Sequence, residues 1–243
     1  MATGSWTGLE LTDVHGGGES LTRLQLEPWD VVLADRNYAK PQDLAQVVAQ
    51  KADLVVRFGW NALHWETPTG ERWDPIAAAR MLPDGVPGSW SAQIRVGKKQ
   101  PPLPLRVVAI RKSAAATNRS QSKARTKAKG KGYRVSDITL EAAQYVFILT
   151  TLPEADASAE DVLELYRLRW QIECAFKRLK TLIQIDHLRA FNPDLAQTYL
   201  LAKVLGALLV DALRTDGPDF SPYGFPVATD IPRRVAFYGN DLE

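Results

Sequence analysis

WDVVLADRNYAKPQDLAQVVAQKADLVVRF, residues 29–58, decides the fold. Its first part, Trp29–Ala34, is nearly continuous in apolar side chains, as a strand buried on both faces must be. Pro41 suits a first helical turn, and a helix from there to about Lys51 leads into a second strand, Asp53–Phe58. Strand, helix, strand in that order predicts an α/β sheet. Between the first strand and the helix stands Asp35-Arg36-Asn37-Tyr38. An aspartate there has two readings, a turn or cap residue and a ligand at the end of a buried strand.

Toward the amino end, Ser5–Thr12 reads as another short strand, followed by a loop with His15-Gly16-Gly17-Gly18. Without a following Gly-Lys-Ser/Thr that run is a turn and not a phosphate loop. Toward the carboxyl end, residues 60–140 turn to Gly, Pro and short mixed segments, with strands expected at Gln93–Val96 and Leu105–Ile110, the pattern of an inserted, strand-rich subdomain. Within it, residues 111–134 carry nine Lys and Arg and no Asp or Glu. Such a block is expected as a basic loop, either simply solvated or attracting phosphates without regard to sequence. A strand at Gln144–Thr150 and two helices complete a third region, 141–214, and the Pro- and Gly-rich tail 215–243 has no assignable pattern.

Composition sets the outer limits. The 243 residues are 45% hydrophobic and 24% charged, which excludes a disordered, collagen-like or disulfide-scaffold chain. Thirty basic against twenty-eight acidic residues leave a net charge of +2, so only the distribution of charge points to a partner. One cysteine, Cys174, forbids an internal disulfide. The longest apolar run, Tyr199–Leu213, is broken by Lys203 and Asp211 and is too short to span a bilayer, so no membrane is expected as a partner. His15, His64 and His187 are too dispersed for a zinc site or a Ser-His-Asp triad.

The first of the two helices opens on Ser158, with Asp161 three residues on, and is expected to run to about Leu182. At about 100° per residue its apolar residues share one arc, while Tyr166, Arg169, Glu173, Lys177 and Lys180 form a separate polar stripe about 80° wide. One carboxylate among cations and a phenol suits a phosphodiester: the cations and hydroxyl hold phosphate oxygens, and the carboxylate faces a hard metal ion. The alternative is a solvated face of ordinary ion pairs, such as Arg169 with Glu173. Trp170, beside the stripe, either stacks on an unpaired base or buries itself against the insertion. The second helix opens at Asn192-Pro193 and ends before Gly217-Pro218.

Tyr166, Arg169, Glu173 and Lys180 follow the spacing Y-(2)-R-(3)-E-(6)-K, which resembles the signature of DDE transposases of the insertion-sequence-four group. Asp35-Arg36-Asn37-Tyr38 is similar to that family's D-R-G-Y/F segment, with Asn37 in place of glycine, a residue that tolerates a left-handed backbone. The similarity covers roughly residues 8–212. It implies a ribonuclease-H-like core, here residues 1–59 and 141–214, incomplete at its amino end, with the β-rich insertion between. By the same resemblance Asp35 and Glu173 are catalytic metal ligands for Mg²⁺ or Mn²⁺, two ions in the intact site. Tyr166, Arg169, Lys180, Lys177, Arg36 and Trp170 contact DNA.

Two ions clamped between carboxylates activate a water or a 3′-hydroxyl and stabilise the leaving oxygen. The implied activity is thus cleavage and strand transfer at transposon ends. Double-stranded DNA, both ends and target, is the partner, engaged by a homodimer in a synaptic complex, and the location is the prokaryotic cytoplasm, at the nucleoid when bound. In the family the first catalytic aspartate lies upstream of anything resembling residues 1–18, and Asp13 falls in the segment between the first and second aspartates. The expectation is therefore a truncated copy, weak or inert alone. The other reading is a non-catalytic DNA-binding remnant that competes or pairs with intact transposase. A sheet without its first strands is also expected to leave an unpaired edge.

Overall fold

The computed structural model describes residues 20–184, 187, 192–214 and 235–238. The strand expected at 5–12, with Asp13 and His15, lies outside them. In chain order the elements are β1 (Val31–Ala34), α1 (Pro41–Ala49), β2 (Asp53–Arg57), β3 (Trp65–Glu66), α2 (Pro75–Ala79), β4 (Gly88–Ile94), β5 (Leu103–Arg111), α3 (Ala114–Gly130), α4 (Asp137–Ala142), β6 (Tyr145–Thr150), α5 (Ala159–Leu168), α6 (Trp170–Ile183), α7 (Pro193–Arg214) and β7 (Val235–Tyr238). The mixed α/β class and the opening strand, helix, strand unit are as the sequence predicts.

The described strands form one seven-stranded sheet in the order β3-β4-β5-β6-β2-β1-β7. β1 is parallel to β2 and to β7, whereas β2, β6, β5, β4 and β3 alternate in direction. The β-rich stretch 60–140 thus builds no sheet of its own; its strands extend the sheet that β1 and β2 begin. The edge of β1 expected to be bare carries β7, from the tail that showed no pattern.

Alternation along the strands sorts the core onto two faces. Val32, Ala34, Leu54, Val56, Val107, Ala109, Phe147 and Leu149 share one cluster with Leu44 and Val47 of α1 and Ile76 of α2. Val31, Leu33, Val55, Val108 and Ile148, fully buried, point to the other face, where α5 packs on β2, β5 and β6. All four β1 residues are at 0% exposure, which is why that strand reads as a continuous apolar run.

Two expectations about helices are corrected. Residues 114–130 form α3, not a loop: Ser113 caps it, and its packed side is held by Gln121 donating to the Leu140 carbonyl of the neighbouring segment at 2.9 Å. The helix expected from Ser158 to Leu182 is broken at Arg169, whose N–H turns back to the Tyr166 carbonyl at 3.1 Å; α5 ends before it and α6 starts after it. The chain divides there into two compact units. One holds the whole sheet with α1–α5; the other holds α6 and α7, tied by Lys203, whose ammonium donates to the carbonyls of Gln184 and His187. No described helix is long and apolar enough to cross a membrane.

Candidate metal and phosphodiester site

Parallel pairing places Ala34 opposite Val56, so the next residues, Asp35 and Arg57, emerge side by side at the carboxyl ends of β1 and β2. Asp35 is extended (φ −87°, ψ −173°) and caps a 3-10 turn over Arg36–Tyr38, its Oδ1 accepting from the Asn37 N–H at 2.8 Å. The cap reading of Asp35 is therefore correct as far as Oδ1 goes. Its Oδ2 makes no hydrogen bond among the described residues and is the oxygen that remains for a ligand. Asn37 is not among the residues with positive φ, so this turn does not require the glycine it replaces.

Around the end of β2 four cations gather. Arg57 is half-buried, and its guanidinium is held below its ordinary value by burial, then by the charges of Arg36 and Arg169, with Tyr166 acting in the opposite sense. Tyr166 presents a hydroxyl that is buried without a hydrogen-bond partner of normal geometry, beside that guanidinium. Arg169 lies over the Tyr166 ring, 5.5 Å from its centroid. Lys112, just past β5, is lowered to about 8 by burial and by the charges of Arg57 and Arg36, while donating to the Ser120 hydroxyl at 3.1 Å and the Ala143 carbonyl at 2.8 Å.

Tyr166 and Arg169 owe their position to the start of α5. A capping box fixes it: the Ser158 hydroxyl accepts from the Asp161 N–H, and the Asp161 carboxylate accepts from the Ser158 N–H. The loop before it is anchored by Arg106, 8% exposed, which donates to the carbonyls of Leu152 at 3.0 Å and Ala157 at 2.6 Å. β5 thereby sets where α5 begins, and α5 sets where Tyr166 stands.

The predicted residues divide between the two units. Asp35, Arg36, Tyr166 and Arg169 belong to the sheet unit; Trp170, Glu173, Lys177 and Lys180 belong to the unit of α6 and α7. The Glu173 side chain, and with it any pairing to Arg169, lies outside the described residues. Trp170 is 48% exposed rather than buried, with the Lys177 ammonium over its ring at 4.6 Å. Lys180 is half-buried on α6.

Arg57 and Lys112 were missed by sequence reasoning. The signal for Arg57 is a charge closing an otherwise apolar strand; Lys112 was hidden in a block taken for a loop. Among the described residues no three of His, Cys, Asp and Glu come together. Asp35 fits a divalent ion with one oxygen only, so a second carboxylate has to complete the donor set. The surplus of cations suits phosphate oxygens.

Residues 11–209 match the family described as Transposase DDE domain. The chain is 38% identical over 224 residues, 90% of its length, to the InsL protein of insertion sequence element IS186A from Escherichia coli strain K12 and, with the same figures, to the transposase of insertion sequence element IS421 from Escherichia coli. It is 28% identical over 198 residues to the transposase of insertion sequence element IS231F from Bacillus thuringiensis subsp. israelensis. The chain spans 60% of the length of the two Escherichia coli relatives and 41% of the Bacillus one. With a matching domain over most of its length and that degree of identity, the chain belongs to the family of DDE transposase domains.

Proposed function

We propose that this chain carries the second and third carboxylates of a DDE transposase site, Asp35 and Glu173, in a ribonuclease-H-like core, and acts in cleavage and strand transfer at the ends of an insertion sequence. The observation that carries this reading is the placement of Asp35 at the carboxyl end of parallel β1 and β2, the end of the sheet where Arg57 feels the charges of Arg36 and Arg169 and Lys112 feels those of Arg57 and Arg36. A sheet end of that kind is where α/β proteins hold ligands, and a site richer in cations than carboxylates suits a polyanion.

In this reading Asp35 and Glu173 are the residues that would hold Mg²⁺ or Mn²⁺, which would supply Lewis-acid stabilisation of the phosphorus centre and a lowered pKa for the attacking hydroxyl. The chain's own cations orient the phosphate: Arg57 and Arg169 donate to its non-bridging oxygens, and the buried Tyr166 hydroxyl adds a neutral donor. Water attacks phosphorus, the bond to the 3′-oxygen breaks, and that oxygen leaves as a 3′-hydroxyl with the phosphate remaining on the 5′ side. The freed 3′-hydroxyl then repeats the displacement on a second phosphodiester, so bonds made and broken balance at each step and no enzyme-bound intermediate is needed. Duplex DNA is the substrate, held by two copies of the protein on paired ends in the prokaryotic cytoplasm.

The test is metal-dependent nicking of a duplex carrying the element's own ends. Nicking by the parent that disappears in Glu173→Ala and Asp35→Asn supports the reading. A parent as inert as both variants that still binds end DNA leaves the non-catalytic remnant instead.

A further inference from the structure

The helix α3 has a pattern that neither folding nor the Asp35 site requires. Its packed side is small: Ala116, Ser120 and Ala124 are half-buried and Ala128 is buried. With about 100° per residue, the outward crest is Ser122 and Thr126, with Arg119 and Lys123 along one flank and Arg125 and Lys129 along the other. All six are exposed. Arg119 with Lys123, and Arg125 with Lys129, are like charges four residues apart, an arrangement that weakens a helix. No acidic residue between positions 111 and 134 offsets them. A helix shaped for stability alone would carry glutamates there; this one keeps a self-repulsion that a polyanion relieves.

The shape narrows the polyanion. An α-helix with its side chains is about 10–12 Å across, and the major groove of B-form DNA is about 12 Å wide with a phosphate wall on each side. Cations on both flanks and short hydroxyl side chains on the crest match that profile. The deep, narrow major groove of duplex RNA does not admit a helix. An anionic membrane is a poor match, because α3 has no large apolar side chain to insert.

We propose that α3 docks in the major groove of duplex DNA, Arg119 and Lys123 on one phosphate wall, Arg125 and Lys129 on the other, and Ser122 and Thr126 toward the base edges. The helix begins two residues after Lys112, so it would give the protein a second grip on a duplex held at the Asp35 site. The choice of DNA rests on the transposase reading above.

The experiment measures binding of the full chain to a labelled 30-base-pair duplex of arbitrary sequence, across a range of sodium chloride concentrations, for the parent and for Arg119→Gln/Lys123→Gln/Arg125→Gln/Lys129→Gln. The variant is expected to lower the slope of log affinity against log salt by about 3 to 4 and to bind at least a hundredfold more weakly at low salt. Its helix content by circular dichroism and its melting temperature are expected to hold or rise. The two-site variant Arg125→Gln/Lys129→Gln, a milder change, is expected to lower the slope by about 2, roughly half of the four-site decrease. An unchanged slope in both folded variants overturns the proposal. So does competition by the same-sequence RNA duplex, or by vesicles rich in anionic lipid, as effective as that of DNA. Nicking is not part of this readout, so a parent without nicking activity leaves the α3 result standing, and failure of the α3 proposal is distinguishable from failure of the catalytic reading.

Discussion

Asp35 and Arg57 stand next to each other at the carboxyl ends of two parallel strands, one step beyond the paired Ala34 and Val56. A carboxylate and a guanidinium in that register would ordinarily neutralise each other. Here Asp35 turns one oxygen to the Asn37 N–H, and Arg57 faces Tyr166, Arg36 and Arg169. Among the described residues no ion pair joins the two, so neither charge is neutralised by the other.

Asp35 has a structural half and a chemical half that substitution can separate. Asparagine caps as well as aspartate, so Asp35→Asn is expected to keep the melting temperature while abolishing metal-dependent nicking. Asp35→Ala loses the cap as well, at about 1 kcal/mol, or a fall of roughly 2–4 °C for a chain of this size. Paired thermal melts and nicking assays check this; a large fall in melting temperature for Asp35→Asn would show that the charge itself is structural.

Arg57 is expected to trade stability for binding. Its charge is half-buried beside two other arginines, so Arg57→Met removes both a desolvation cost and a repulsion, and the melting temperature should hold or rise. The same change removes a charge-assisted hydrogen bond to a phosphate, about 1.5–3 kcal/mol, or at least tenfold in affinity for DNA. Lower stability with unchanged DNA affinity would make Arg57 a packing residue instead.

Lys112 gives a dependence on pH of opposite sign for folding and for binding. Its value of about 8 lies below the 10.5 of an unburied lysine, so between those limits the unfolded chain binds more protons and stability rises with pH. Phosphate binding favours the charged form, so affinity should fall as pH rises through about 8. Lys112→Met is expected to remove both trends, measured as urea midpoints and DNA affinities at pH 7.5, 8.5 and 9.5. Parallel pH profiles for parent and variant would discard the role.

Arg106 acts at a distance through the loop it holds. Arg106→Ala leaves the carbonyls of Leu152 and Ala157 without their buried donor, at about 1–3 kcal/mol each. Arg106→Lys keeps a charge but has no planar fork to span two carbonyls, and is expected to recover less than half of the loss. Denaturant midpoints of the two variants decide it; a full rescue by lysine would mean that charge alone, not the fork, holds the loop.

The α/β class, β1, α1, β2 and the capped start of α5 were legible because each is written in a short window. Burial on both faces leaves an apolar run, and a cap leaves Ser158 and Asp161 three residues apart. Motif spacing singled out Asp35, Tyr166 and Arg169 as candidates. Trp170 was not: which face of a helix is covered depends on what packs there, and it proved half exposed with Lys177 over its ring. The break at Arg169 also escaped, because α5 and α6 carry one uninterrupted helical pattern across it.

The sequence by itself determined the chemistry on offer: a buried strand ending in aspartate, a helix with a phenol, cations and a carboxylate, and a wholly basic stretch. Tertiary structure alone decided which of them meet within the sheet unit. β6 lies antiparallel between β2 and β5, so those two run the same way and bring Arg57 and Lys112 to the end of the sheet where Asp35 stands. It also turned the basic stretch into a helix, since a run of like charges has no apolar periodicity to announce one; Lys112 donating to Ser120, and Gln121 donating to the Leu140 carbonyl, help hold its side of small residues in place. Local spacing records which face is dry, whereas pairing between distant strands is set by the register of backbone hydrogen bonds, which no short window contains.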